Sequence, residues 1–128
     1  MRKLKVAVGK KLEKAIVYVN EGDRILAADA GVLERLGSAC ALMRFSYDAY
    51  SYGLLAEGHV DAVIDYGLKP YDYMPAVTLV HEAGGVMSDW LGQPLSMDSD
   101  GRVVAASSLA LHRELLAILT GEVAGKVD

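Results

Sequence analysis

Short apolar runs recur between stretches of helical length, and each run stops at a turn cluster, a carboxylate or a serine. That alternation constrains the fold more than any other feature of the chain, because it describes strands joined by helices. Ala15 to Val19 is rich in β-branched residues and ends at Asn20-Glu21-Gly22-Asp23. Ile25 to Leu36 reads as a helix, with Gly37 as its stop. Ala41 to Phe45 reads as a second strand, followed by Ser46-Tyr47-Asp48 and a helix from Ala49 to Glu57. Ser46 or Asp48 can cap that helix, and Gly58 can sit past its end. Val60 to Asp65 is a third strand, and Gly67 to Pro70 a loop. Asp72 opens a helix to about Ala83, closed by Gly84-Gly85, and Pro75 is assigned to its first turn, where amides have no intrahelical partner. Val86 to Trp90 and Arg102 to Ser107 complete the strands, and Ser107 or Ser108 caps a helix from Leu109 to Leu119. The expected fold is a layered α/β domain over residues 1–120, with a mostly parallel, mixed sheet flanked by helices, and a loose tail over 121–128.

With 128 residues, 52% of them hydrophobic, the chain can bury one ordinary core. Its formal charge of −4 argues against nucleic acid as a partner. The basic residues Arg2, Lys3, Lys5, Lys10, Lys11 and Lys14 near the start read as a solvated face. No signal-peptide pattern and no apolar stretch of membrane-spanning length is visible. Cys40 stands alone, which excludes an internal disulfide and suits a reducing, cytoplasmic setting.

Ligands of open α/β sheets bind outside the carboxyl ends of the strands. Asp65 and the segment Ser46-Tyr47-Asp48 both fall there, and Asp72 follows after a loop that can fold back over the same edge. A carboxylate at a helix start has two readings. It is a cap worth about 1 kcal/mol, which spacing alone favours. Otherwise it is a ligand to a hard cation such as Mg2+, which takes one or two carboxylates with phosphate oxygens and water.

Lys69-Pro70-Tyr71-Asp72-Tyr73-Met74, followed by Val80-His81-Glu82-Ala83-Gly84-Gly85, resembles the second signature of the inositol monophosphatase family. The Lys-Pro-Tyr-Asp-Tyr version is most similar to the histidinol-phosphatase branch. The resemblance continues through Tyr52 to Ala62, Trp90 to Leu95 and Gly101 to Ala106, and spans roughly Lys14 to Leu119. It implies a Mg2+-dependent hydrolase of a small phosphate monoester such as histidinol phosphate or an inositol phosphate. It also implies that Asp72 is a metal ligand at the catalytic centre. Asp65 matches a family Glu that bonds a substrate hydroxyl or amine, with one methylene fewer. Ser46, Tyr47 and Asp48 match a substrate loop that normally starts with two small residues; Tyr47 departs from that pattern, and Asp48 agrees with the histidinol-phosphatase form, where it would favour a cationic amine.

The family's first signature, a Glu followed by an Asp-Pro-hydrophobic-Asp-Gly run, is absent. Gly22-Asp23 and Ala28-Asp29 lack the Asp-x-x-Asp spacing. The resemblance is therefore to the carboxy-terminal half. It implies that the chain alone has little or no phosphatase activity and works with a missing amino-terminal half-domain or as a homodimer. The alternative is a catalytically inactive α/β module acting by association. His59 reads as a surface residue, and His81 lies two and a half helical turns beyond Asp72, on another face. Ser107-Ser108 lacks a His-Asp relay, and Gly84-Gly85 follows a helix, the reverse of a dinucleotide-binding turn.

Overall fold

The computed structural model describes residues 4–46 and 50–121. A single turn of 3-10 helix, Leu12–Lys14, leads into β1 (Ile16–Asn20), α1 (Gly22–Ala28), α2 (Ala30–Ala39) and β2 (Leu42–Ser46). Then come α3 (Tyr50–Ala56), β3 (Ala62–Asp65), α4 (Pro70–Glu82), β4 (Val86–Asp89), β5 (Val103–Ala106) and α5 (Leu109–Thr120). The strands form one sheet in the order β2-β1-β3-β5-β4. β1 runs parallel to β2 and β3, and β5 runs antiparallel to β3 and β4. No helix lies between β4 and β5, and β5 returns antiparallel beside β4.

Both faces of the sheet are covered, and the strand residues divide between them with a period of two. Val17, Val19, Ile64 and Val104 pack with Ile25, Val32, Leu36, Leu111 and Leu115 from α1, α2 and α5. Val63, Val103, Ala105 and Met87 pack with Tyr52, Leu55, Tyr73 and Val80 from α3 and α4. Every residue of β3 and β5 is buried, as strands covered on both faces must be.

The expected helix from Ile25 to Leu36 is two helices. Asp29 takes an extended backbone (φ −161°, ψ 91°) and its carboxylate accepts from the Gly31 amide, capping α2. The cap satisfies an orphan amide, which a continuous helix through an Asp does not reward. Gly37 does not stop the helix, which runs on to Ala39. A Cβ there would meet the Met43 methyl at 3.4 Å, an ordinary van der Waals contact. Gly22 starts α1 rather than completing a turn. Ser46 ends β2, while Tyr47 and Asp48 lie outside the described residues, as does nearly all of the expected tail.

α4 also starts earlier than expected. Pro70 is its first residue, where the missing amide costs nothing, and Asp72 is third. Pro75 then falls in the second turn, so it withholds the donor that the Tyr71 carbonyl would receive from an ordinary residue. Tyr71 is exposed, and water can serve its carbonyl instead.

Candidate active site at the carboxyl edge of the sheet

The register sets Asn20 beside Ser46, and pairs Val19 with Ile64, so the ends of β2, β1 and β3 lie side by side. Ser46, Asn20 and Asp65 therefore form one row along the carboxyl edge. Asp65 is 2% exposed. Its Oδ2 accepts from Asn20 Nδ2 at 2.9 Å and from the Tyr52 hydroxyl at 2.8 Å. Its Oδ1 accepts from the Tyr66 amide at 2.9 Å. Asn20 Nδ2 also reaches Ser51 Oγ at 3.0 Å. The network ties β1 and β3 to α3 beneath the edge.

Burial pushes the Asp65 carboxyl above the usual carboxylate range, against the pull of its donors Asn20, Tyr52 and Tyr66; Glu21 nearby adds to the rise. The Tyr52 phenol is raised well above its ordinary range, first by burial, then by the charge of Asp65 and its hydrogen bond, and also by Asp72. Asp72 on α4 is thus within electrostatic reach of the Tyr52–Asp65 pair on α3 and β3.

Asp72 is exposed on the first turn of α4, and its Oδ2 accepts from the Lys69 amide at 3.0 Å. The other oxygen has no hydrogen-bond partner among the described residues. The carboxylate does cap the helix, yet it keeps a free face towards solvent. The positive end of the helix stabilises its charge.

Among the described residues no group of three or more His, Cys, Asp or Glu side chains is placed to share a metal ion. Asp72 fits Mg2+ as one carboxylate ligand, the form of contact this ion accepts from protein. Asp65 has its oxygens occupied by three donors. The described residues do not make a complete Mg2+ site.

Sequence reasoning placed Asp65 and Asp72 at one edge but missed the inward network. The Tyr52 hydroxyl, buried on α3, turns inward onto Asp65 at the end of β3. His112 was also missed. It is buried on α5, with Nε2 at 2.6 Å from Ser88 Oγ, whose hydroxyl also reaches the Asp89 carbonyl. His112 Nδ1 is buried without a partner among the described residues, so none of their acids orients the ring and the pair is not a relay of the Ser-His-Asp kind. Ser108 caps α5 through the Leu111 amide. His59 pairs with Glu57 at 3.5 Å on the surface, and His81 is exposed. Cys40 is half-buried at the end of α2, and burial raises its thiol pKa. No helix among the described residues is long and apolar enough to cross a membrane.

Comparison with known proteins adds four findings. A family model described as the inositol monophosphatase family matches residues 2–124. The bifunctional phosphatase IMPL2, chloroplastic, of Arabidopsis thaliana is 33% identical over 116 residues, which is 85% of this chain and 34% of that protein. A histidinol-phosphatase of Chlorobaculum parvum is 30% identical over 87 residues, 68% of this chain and 33% of that one. Among solved structures, an inositol monophosphatase from Zymomonas mobilis superposes with a TM-score of 0.85 at 30% identity, covering 91% of this chain and 46% of that one. The chain thus spans about a third of the length of these curated relatives and just under half of that structure.

Proposed function

The chain belongs to the inositol monophosphatase family, and from that premise we propose that it is the carboxy-terminal part of a Mg2+-dependent phosphomonoesterase acting on a small polyol or amino-alcohol phosphate. The observation that carries the reading is Asp72: an exposed carboxylate with one free oxygen, on a helix tip at the carboxyl edge of the sheet, inside the signature it shares with the family. In this reading Asp72 supplies one oxygen to Mg2+, and the ion when bound polarises the phosphoryl group and activates water. Ser46, Tyr47, Asp48 and Asp65 would contribute to the substrate pocket in this reading. The relatives named as histidinol-phosphatase and inositol monophosphatase suggest the two substrate types.

Further ligands must come from residues outside this set, since the described residues hold no second carboxylate grouped with Asp72 and another metal-binding side chain. A complementary half-domain or a second copy would bring them. Exposed Phe45, Tyr71 and Met74, which a partner would cover, support association. A cytoplasmic setting fits the same reading. The lack of a ligand cluster also favours the second reading, an inactive module that acts only through association.

The test mixes the chain with an amino-terminal half from a family member and measures phosphate release from histidinol phosphate and from an inositol monophosphate. Turnover that needs both parts and Mg2+, and vanishes in Asp72→Asn, supports the phosphatase reading. Assembly without turnover supports the inactive module. Full turnover by the chain alone refutes the dependence on a partner.

A further inference from the structure

On the opposite side of the sheet from Asp72, against α1 and α5, lies a cavity of about 270 Å³. Its inner wall is apolar: Ile25, Leu119 and Trp90, all buried in the core shared by α1, α2 and α5. Tyr66 stands edge-on to Trp90 with ring centroids 5.8 Å apart. Ala28 and two charged groups of opposite sign, Asp29 and Arg102, complete the lining.

Each charged group has capacity to spare. Asp29 uses Oδ1 to cap α2, and its other oxygen has no hydrogen-bond partner among the described residues. Arg102 lies over the Trp90 ring at 5.6 Å and uses Nε and Nη2 on Oδ2 of Asp100, at 2.8 and 2.7 Å. Its Nη1 has no partner among the described residues. The Asp100 bridge is exposed, and such pairs hold weakly.

An anion in this cavity would meet Asp29, and a cation would meet Arg102. A ligand carrying both signs satisfies both walls. The apolar inner wall asks for a short hydrocarbon body, and the volume lies below the roughly 300–1,000 Å³ of pockets for drug-sized ligands. We propose that this cavity binds a small zwitterion, an α-amino acid with a short aliphatic side chain, its ammonium on Asp29, its carboxylate on Arg102 and its side chain against Trp90. The inference is independent of the phosphatase reading, because it uses the other face of the sheet.

The test titrates the intact chain with L-valine and L-leucine at millimolar concentration. Trp90 is the chain's one tryptophan, so its fluorescence and indole N–H resonance report on the site directly. Thermal unfolding gives a second readout, since a ligand of the native state raises the midpoint. Isobutylamine and isovalerate, each with one of the two charges, are the controls. A saturable change with an amino acid is expected, about tenfold weaker or more for either control and in Asp29→Asn and Arg102→Gln. Asp29→Asn keeps an oxygen for the α2 cap, so its fold is preserved. No saturable response to either amino acid overturns the proposal. Equal binding of the single-charge controls, or binding unchanged in both variants, overturns it as well.

Discussion

Tyr52 donates its phenolic proton to Oδ2 of Asp65 at 2.8 Å, and both residues are buried. One contact thereby joins α3 to the end of β3, while Asn20 joins β1 to the same oxygen. Burial works against the Asp65 charge, and these donors are what make the ionised form tolerable.

Removing one donor should therefore be felt. Tyr52→Phe is expected to cost about 1–3 kcal/mol near neutral pH, because the buried carboxylate loses a hydrogen bond that nothing replaces. The loss should shrink in acid. The folded pKa of Asp65 is raised, so its contribution to stability is greatest below the unfolded carboxyl value and is lost as pH rises through the folded value. The variant raises the folded value further and loses more. Urea unfolding of both proteins from pH 4 to pH 8 measures this, and a difference that stays constant with pH would contradict it.

Asp72 separates charge from capping. Asp72→Asn retains an acceptor for the Lys69 amide and should change stability by less than about 0.5 kcal/mol. Asp72→Ala loses both acceptor and charge at the helix start and should cost about 0.3–1 kcal/mol. In the reconstituted phosphatase assay both should abolish Mg2+-dependent turnover. Activity surviving in Asp72→Asn would remove the ion-binding role and leave only the cap.

Gly101 closes against the loop that precedes α4. Its φ is +89°, and a Cβ there would lie 2.5 Å from the Leu68 carbonyl oxygen and 3.0 Å from the Leu68 nitrogen. The same approach carries the hydrogen bond from the Leu68 amide to the Gly101 carbonyl at 3.1 Å. The obstacle is backbone and cannot swing aside. Gly101→Ala should cost about 1–3 kcal/mol through strain and displace the loop that leads to Lys69 and Asp72. Denaturation tests the first effect. Unchanged stability would mean that the loop closes in another way.

The strands were legible because apolar, β-branched runs bounded by turn residues depend on burial, which sequence records directly. Asp65 and Asp72 were placed at one edge by a different rule, that the carboxyl ends of strands in such sheets carry the ligand site. The break at Asp29 was not legible, since a carboxylate in a helical stretch looks the same whether it faces water or turns to cap a new helix. The start of α4 at Pro70 was misplaced by the short distance that separates a cap from a third helical residue. The Asp65 network depends on contacts between β1, β3 and α3, and long-range pairing of that kind leaves no local pattern. Ser88 and His112 meet across 24 positions for the same reason.

That last pair sets the expected acid limit of the fold. Burial, and secondarily the charge of Arg113, holds the His112 imidazole below its ordinary pKa. In the folded protein the ring stays neutral while the unfolded chain takes up a proton near pH ~6.5. The unfolded state then binds more protons, so stability rises with pH across the window between the two values. The contribution is fully present above the unfolded value and is lost as pH falls towards the folded one. The slope cannot exceed about 1.4 kcal/mol per pH unit for one group. Protonation would place a charge whose Nδ1 has no acceptor in the core, since that atom is buried and unpartnered. His112→Gln removes the titration and leaves Ser88 its bond to the Asp89 carbonyl. Unfolding free energies between pH 5 and pH 8 should therefore slope more steeply in the wild type than in the variant. Exposed His59 and His81 are common to both proteins and cancel in the comparison. Equal slopes would show that His112 takes up its proton in the folded core as readily as in the open chain.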